Sequence, residues 1–207
     1  KFYVKDRLHG KPWFSKLPFP VHVVEKMEVF DWISRTIFTT RYSYHHGYYD
    51  GLEREFNGFG RVEQWDSEFY TTSSKEEETN VLPPVRKVHW FHNGAFLHHK
   101  SISKKYETES YDGDHEAQRL QDTVFPTDLT VIEAREACRA LKGSLLRTEI
   151  YAEDDNEHSV HPYQTIEYGY LLKKLQAGKE DQHAVFFVQS AEKLSYLYER
   201  DPSDPRV

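Results

Sequence analysis

The sequence contains very little sulfur and no long apolar segment. Its 207 residues include one cysteine and one methionine. A single cysteine cannot close an internal disulfide, and a zinc site built from cysteines is excluded. No apolar run approaches the roughly 18 residues that a membrane-spanning helix requires, so we expect no contact between this segment and a membrane.

Aliphatic side chains are also scarce. Hydrophobic residues make up 38% of the chain and aromatic residues 15%, including 14 tyrosines. A tyrosine ring can be half buried while its hydroxyl stays in water, which favours antiparallel sheets with one wet face. The formal net charge of −7 is too small to keep the chain disordered and has the wrong sign for binding nucleic acid. We therefore expect a folded, mainly β protein without a nucleic-acid partner.

The first thirty residues are predicted to be extended. Pro12, Pro18 and Pro20 disfavour a helix, and the β-branched residues of 21–24 are typical of a strand. The sequence opens at Lys1 with neither an initiator methionine nor a charged and apolar leader. We therefore expect an internal piece of a longer protein.

The segment from about Ser34 to Tyr70 carries strong hairpin signals. Polar and aromatic residues alternate from position 36, which indicates a half-buried strand. Asp50-Gly51 and Asn57-Gly58 are typical of type I′ turns, which need positive φ at both central residues. Together they predict a three-stranded antiparallel meander with a short middle strand.

One main helix is predicted over residues 130–142. Thr130 and Glu133 have the spacing of a capping box, and Gly143 follows as the C-terminal glycine. Small and apolar side chains recur along one face of this helix, which would let it lie close against a sheet. These side chains are Ala134, Ala137, Cys138 and Leu141.

The remaining elements are assigned from composition. We expect a solvated loop over 71–80, a weak two-turn helix over 114–120 capped by Asp114, and a turn at Asn93-Gly94. The predicted strands cover 85–91, 145–152, 163–175, 184–189 and 194–199, with the last two joined as a hairpin through 190–193.

Histidine is abundant, yet its spacing does not favour a metal site. Close pairs occur at positions 45 and 46, 89 and 92, and 98 and 99. Residues an odd number apart on a strand point to opposite faces, so these imidazoles would not converge on one ion. We interpret them as half-exposed strand residues and predict neither a metal nor another cofactor.

No catalytic pattern stands out. Glu53 and Glu55 share a strand face, as a glycosidase pair could, but this spacing is common on solvated surfaces. Nucleophile, phosphate-loop and dinucleotide motifs are absent, and Cys138 has no assigned base. We predict a protein that is not an enzyme.

Aromatic side chains leave one alternative function open. Tyr48, Tyr49, Trp65 and Trp90 could form a platform on which sugar rings stack, as in a carbohydrate-binding β module. They could equally be cross-strand pairs that stabilise a sheet. The turn residues explain the pattern without a ligand, so we favour the structural interpretation.

Residues 40–63 resemble the Tyr-Asp (YD) unit of Rhs-type proteins. More narrowly, they are similar to the B component of the tripartite insecticidal toxin complexes. Three further blocks support the resemblance in the family's order, at 16–21, at 133–149 and at 183–186 with 198–202. The residues that carry the motif are Tyr42, Tyr44, Gly47, Tyr49, Asp50, Gly51, Asn57, Gly58, Gly60 and Arg61.

The resemblance implies a structural and secreted virulence protein. In that family, antiparallel hairpins wind into an Rhs-type β-sheet shell that encloses the toxic C-terminal part of a C component. A pore-forming A component then accepts the cargo for delivery. The resemblance also implies two regions, a YD-type hairpin unit over 1–80 and a middle/C-terminal-type region over 81–207.

Overall fold

The computed structural model describes residues 1–70, 82–96, 102–179 and 182–207. Its centre is one antiparallel sheet of seven strands, in which the order across the sheet is the order along the chain. The mainly β prediction is confirmed. The strands are β1 (Lys26–Asp31), β2 (Thr36–Asp50), β3 (Glu55–Tyr70), β4 (Val85–His92), β5 (Ser144–Ala152), β6 (Gln164–Gln176) and β7 (Val185–Leu197).

Among the described residues, three α-helices and one 3-10 turn accompany the sheet. They are α1 (Phe2–Leu8), α2 (Ile102–Glu107), α3 (Val131–Ala140) and the turn Glu157–Val160. In the described part of the chain, no helix has the length and apolarity needed to cross a bilayer.

Strands β2 and β3 form one long hairpin, so the prediction of a three-stranded meander is wrong. Their connection is the four-residue segment 51–54, in which Arg54 rather than Gly51 has positive φ. The Asp50 carboxylate accepts hydrogen bonds from the backbone N–H groups of Leu52 and Glu53 at 3.0 and 3.3 Å. This is a side-chain-stabilised turn and not a two-residue type I′ turn.

Asn57-Gly58 lies inside β3 and makes a bulge there. The register shifts between the pairs Gly47–Phe59 and Tyr49–Phe56, which leaves one extra residue on β3. Gly58 has φ of 87°, a conformation that glycine adopts without steric cost. The same residue preference serves both bulges and turns, and this explains the misassignment.

The extended N terminus is also a correction. Residues 2–8 form α1, and Val21–Val24 precede β1 without belonging to it. The prolines that argued against a helix all follow α1. Its position on the sheet depends on distant contacts, since Phe2 packs edge-on against Tyr44 with ring centroids 5.9 Å apart.

Helix α3 confirms the main helix prediction in its first turn. Both bonds of the Thr130–Glu133 capping box are present. The helix ends at Ala140, two residues early, and Gly143 has φ of 84°. Ala137 and Leu141 are fully buried, whereas Cys138 is only partly buried. Burial raises the pKa of the Cys138 thiol to about 12.

The strand predictions after β3 hold except at the end of the chain. Strands β4, β5 and β6 coincide with the predicted segments within one residue. The predicted hairpin through 190–193 is wrong, because β7 runs through this segment and accommodates it with a bulge at Ala191. The predicted helix over 114–120 is a single turn, in which the Asp114 carboxylate accepts from the N–H groups of Glu116 and Ala117.

Asn93-Gly94 connects β4 to the following segment, and Gly94 has φ of 74°. The loop predicted over 71–80 and the histidines at 98 and 99 lie outside the described residues.

In the part of the chain that the structure describes, the apolar core lies in two clusters. One is built around Val88 and Trp90 on β4, each 1% exposed, with Ile102 and Tyr106 of α2 packed over them. The other joins Ala137 of α3 and Leu141, just after this helix, to Leu172 of β6. Helices α2 and α3 are therefore held on the sheet by apolar burial.

Candidate functional site

The end of the β2–β3 hairpin is attached to helix α3 by a group of charged side chains that we call the clamp. Its members are Asp50, Glu53, Arg135 and Arg139. Asp50 is 3% exposed, and both of its carboxylate oxygens accept from Nη2 of Arg135 at 2.7 Å. Glu53 lies 3.3 Å from Arg135 and 3.4 Å from Arg139. The pair of Asp50 and Arg135 is 85 residues apart in sequence, so it fixes the hairpin relative to a distant helix.

The environment of Asp50 keeps its carboxylate ionised. Burial by itself would raise the pKa of Asp50, but the hydrogen bonds from Arg135 and from two backbone N–H groups hold it below its usual value. The interaction is reciprocal, because Asp50 outweighs the effect of burial and raises the pKa of Arg135. A charge pair of this kind is well suited to positioning two elements.

The aromatic and glycine residues of the motif pack the N-terminal segment onto the hairpin. The Tyr44 hydroxyl donates to the carbonyl of Val24 at 2.9 Å, and Tyr49 packs edge-on against Phe19 at 5.2 Å. A Cβ atom at Gly47 would lie 2.9 Å from Leu17 and 3.0 Å from Trp13. Gly47 therefore allows a close approach that a larger residue would prevent.

A buried network of charges covers the sheet where β2 and β3 meet α2. Arg61 pairs with Glu63 and, at 2.9 Å, with Glu109. Glu109 also accepts from Nε2 of His46 at 2.8 Å. Burial would raise the pKa of Glu109, but the hydrogen bonds and charges of His46 and Arg61 hold it at about 2.

His45 extends this network to the N-terminal helix. Its Nδ1 lies 2.5 Å from the carboxylate of Asp6, which also accepts from the indole N–H of Trp13 at 2.6 Å. Burial, the largest influence, lowers the pKa of His45 in spite of Asp6. Helix α1 is thus attached to the sheet through one shared carboxylate.

A second network lies on the same face of the sheet, between β5 and β6. Glu149 is 2% exposed and accepts from Arg147 at 2.6 Å, from the Tyr151 hydroxyl at 2.7 Å and from the Tyr111 N–H at 2.8 Å. Arg147 also pairs with Glu167 of β6. These bonds attach the segment after α2 to the sheet.

Sequence reasoning missed both networks, although a short signal exists. Arg61-x-Glu63 and Arg147-x-Glu149 each place opposite charges two residues apart, on one face of a strand. A base and an acid that alternate along an otherwise buried strand indicate a buried ion pair. Glu109, in contrast, lies in an irregular segment and has no local signal.

We predict that Glu109→Gln makes the free energy of unfolding less dependent on pH below pH 4.5. The folded pKa of about 2 lies below the ordinary value of 4.5. Glu109 therefore stabilises the fold above pH 4.5, and this contribution is lost as the pH falls towards 2. At pH 7 the variant should lose about 1 to 2 kcal/mol, measured by urea unfolding at several pH values. If the wild type and Glu109→Gln lose the same free energy of unfolding below pH 4.5, the low folded pKa of Glu109 is contradicted.

The histidines are more buried than predicted. His45, His46 and His92 are 9%, 1% and 5% exposed, and only His89 fits the half-exposed interpretation among these four. His89 bonds to the Thr148 hydroxyl at 3.0 Å. Within the described ranges, no group of three or more potential ligands is arranged to hold a metal ion.

The other candidate residues have structural partners. Trp90 is buried in the core, so it cannot take part in a sugar-stacking surface with Tyr48, Tyr49 and Trp65. The indole N–H of Trp65 donates to Glu153 at 2.9 Å. Glu53 belongs to the clamp, and Glu55 pairs with Lys142 at 2.7 Å.

Two related families match the sequence. The insecticide toxin TcdB middle/N-terminal region matches residues 3–94, and the middle/C-terminal region of the same toxin matches residues 136–207. No curated protein matches the chain.

Solved structures agree with these matches. The crystal structure of TcdB2-TccC3 is 30% identical, covers 98% of this chain and has a TM-score of 0.80. The Photorhabdus luminescens Tc holotoxin pore, with a substitution in TccC3, is also 30% identical over 98% of this chain, with a TM-score of 0.81. This chain spans about a tenth of the matched chains, at 10% and 9% respectively. The chain therefore belongs to the TcdB family of insecticidal toxin-complex components and corresponds to their middle region.

Proposed function

We propose that this chain is a non-catalytic segment of a toxin-complex B component. Its sheet forms part of a β-sheet shell that encloses the toxic effector carried by a TccC-type C component. A pore-forming A component then delivers the effector, and the assembled complex is secreted. The matched structures of TcdB2 with TccC3 and of the holotoxin pore support these partners.

The observation that carries the proposal is the architecture of the sheet. Seven strands follow one another in chain order, and the outermost strands are β1 and β7. Sheet edges of this length attract further strands, and soluble proteins normally cover or disrupt them. A sheet that continues through both edges is what a closed shell requires.

The free edge of β7 can be assigned from one contact. The N–H of Leu197 donates to the carbonyl of Arg206 at 2.7 Å, on the side away from β6. Backbone groups alternate along a strand, so the N–H groups of Lys193 and Ser195 also point away from β6. Neither N–H has a backbone partner among the described residues.

The interior of the segment supports a structural role. The carboxylates of the two networks and of the clamp are held by cations, and the partly buried thiol of Cys138 has a raised pKa, which disfavours the reactive thiolate. We propose that 1–80 and 81–207 are two regions of one continuous sheet, since the boundary falls between β3 and β4, which pair directly. The ten motif residues then act by fixing the hairpin, the N-terminal segment and α2 together.

The proposal is tested by placing this chain into a known complex. The matching region of TcdB2 is replaced by residues 1–207, and the chimera is assembled with TccC3. TccC3 carries a hypervariable C-terminal region that one of the matched structures lacks, and we expect this region to resist added protease, as it would inside an intact shell. A soluble, assembled chimera that leaves this region fully digestible would exclude the enclosing role.

The β7 edge supplies a sharper form of the experiment. Lys193→Pro and Ser195→Pro remove two outward N–H groups, and proline is tolerated at a free strand edge. Combined, the two substitutions should cost the isolated chain less than about 1 kcal/mol but make the TccC3 region in the chimera digestible. Lys193→Ala with Ser195→Ala is the matched control, because it keeps both N–H groups. Equal protection in the two double variants would rule out strand pairing at this edge.

A further inference from the structure

An open cavity of about 350 Å³ lies beside helix α3, apart from both charged networks. Its walls include the apolar side chains of Ile102, Phe125, Leu129 and Ala134. Cavities of this size and composition are typical of small-molecule sites. Apart from His92 and Cys138, the residues that line it lie between the two segments matched by the TcdB families.

His92 lines this cavity and carries a ring N–H that can donate to a ligand. The ring is 5% exposed, and its Nδ1 lies 3.1 Å from the backbone N of Gly94, which donates to it. Nδ1 is therefore unprotonated, and the neutral ring carries its proton on Nε2. Burial lowers the pKa of His92 to about 4, which keeps the ring neutral at pH 7. No described residue accepts a hydrogen bond from Nε2.

The negative charge of Asp122, which lines the cavity, disfavours an anion. Asp122 acts on both His92 and Cys138, and its negative charge raises the pKa of each group. No described cation pairs with Asp122, and the described residues that line the cavity include no lysine or arginine. A carboxylate or phosphate would lose its hydration there without gaining a counter-charge.

We propose that this cavity binds a small, uncharged aromatic or alicyclic molecule that carries a carbonyl group. The ring of the ligand packs against Phe125, Leu129 and Ile102, and its carbonyl oxygen accepts from Nε2 of His92. The site is independent of the shell function, because it contains none of the clamp or network residues.

Three probes of similar shape test the proposal on the 207-residue chain. Acetophenone has a ring and a carbonyl, ethylbenzene lacks the acceptor, and benzoate is charged. By ligand-observed NMR and calorimetry, we expect acetophenone to bind about fivefold more tightly than ethylbenzene, the effect of one hydrogen bond. Benzoate should not bind. Equal affinity for acetophenone and ethylbenzene would contradict a hydrogen bond from His92 to the ligand. Binding of benzoate would contradict the proposal that the ligand is uncharged.

A matched pair of helix variants locates the binding. Ala134→Leu places a larger side chain in the cavity, whereas Val131→Leu enlarges an exposed residue of the same helix, 61% accessible to solvent. Acetophenone binding should be lost in the first variant and unchanged in the second, with both variants folded by circular dichroism. Binding that survives Ala134→Leu places the probe elsewhere and refutes the site. If Ala134→Leu does not fold, Ala134→Val takes its place, and the expected result is the same loss of acetophenone affinity.

Discussion

Gly60→Ala should lower the free energy of unfolding by about 3 kcal/mol. A Cβ atom at position 60 would lie 1.8 Å from the hydroxyl oxygen of Tyr106 and 2.8 Å from the ring carbon that bears it. Neither side can move easily. Gly60 belongs to β3, and Tyr106 is 3% exposed beneath Phe14 and His46.

The same contact predicts a partial rescue. The Tyr106 hydroxyl is buried without a hydrogen-bond partner among the described residues. Tyr106→Phe alone should therefore be neutral or slightly stabilising, because it removes an unsatisfied polar group. In the Gly60→Ala background, Tyr106→Phe removes the contact between the added Cβ and the hydroxyl oxygen but leaves the 2.8 Å contact with the ring carbon. About half of the lost free energy of unfolding should therefore return.

Urea unfolding of the four proteins in this cycle measures the coupling. Gly51→Ala is the control, since Gly51 lies in the exposed turn of the same hairpin with no atom within 4 Å of the added Cβ. Its free energy of unfolding should change by less than about 0.5 kcal/mol. If Gly60→Ala and Gly51→Ala have the same effect, the close approach of α2 to β3 is not as described.

The elements predicted correctly are those set by local chemistry. The Thr130–Glu133 capping box needs only residues three apart, and it starts α3 where expected. Alternation from position 36 identified the start of β2, because a strand with one buried face must repeat every two residues. These features depend on neighbouring residues alone.

The incorrect predictions share a different cause. Asn57-Gly58 and Ser190–Lys193 both have turn-like composition, yet both lie in strands that contain a bulge. A bulge and a turn both place residues outside the regular pleat, and only the partner strand decides between them. Helix α1 depends on His45 and Tyr44, more than thirty residues away.

Of the residues in the clamp, the predicted motif contains only Asp50. The sequence indicates a turn at this position, and the Asp50 carboxylate does accept from a backbone N–H of its own turn. Its larger role, the pairing with Arg135, joins residues 85 positions apart. No spacing rule connects a hairpin end to a helix that follows it at such a distance.

Arg135→Met should cost about 3 kcal/mol at pH 7, because it leaves the Asp50 carboxylate buried without its counter-charge. Methionine retains the apolar stem of arginine, so the loss of packing is small. Thermal and urea unfolding give the change in stability. Asp50→Asn combined with Arg135→Met should recover part of it, since a neutral amide is less costly to bury than an unpaired carboxylate.

Lys142→Met is the matched control at the same interface. The Lys142–Glu55 pair has the same 2.7 Å separation, but its side chains are 36% and 49% exposed, compared with 19% and 4% for Arg135 and Asp50. Exposed pairs contribute less than about 1 kcal/mol. If Lys142→Met and Arg135→Met lose the same free energy of unfolding, the burial of Asp50 does not strengthen its pair with Arg135.

The dependence on pH separates the clamp from a loss of packing. In the wild type the folded pKa of Asp50 is lowered, so its contribution is present above the ordinary pKa of about 3.9 and lost as the pH falls below it. Without Arg135, only the two backbone N–H groups oppose the effect of burial, so the folded pKa of Asp50 rises from its wild-type value. The Asp50 contribution to stability in Arg135→Met should therefore fall off less as the pH is lowered than it does in the wild type. If the clamp is electrostatic, the difference in free energy of unfolding between the wild type and Arg135→Met narrows towards pH 3. If the variant loses only packing, this difference stays constant across the pH range.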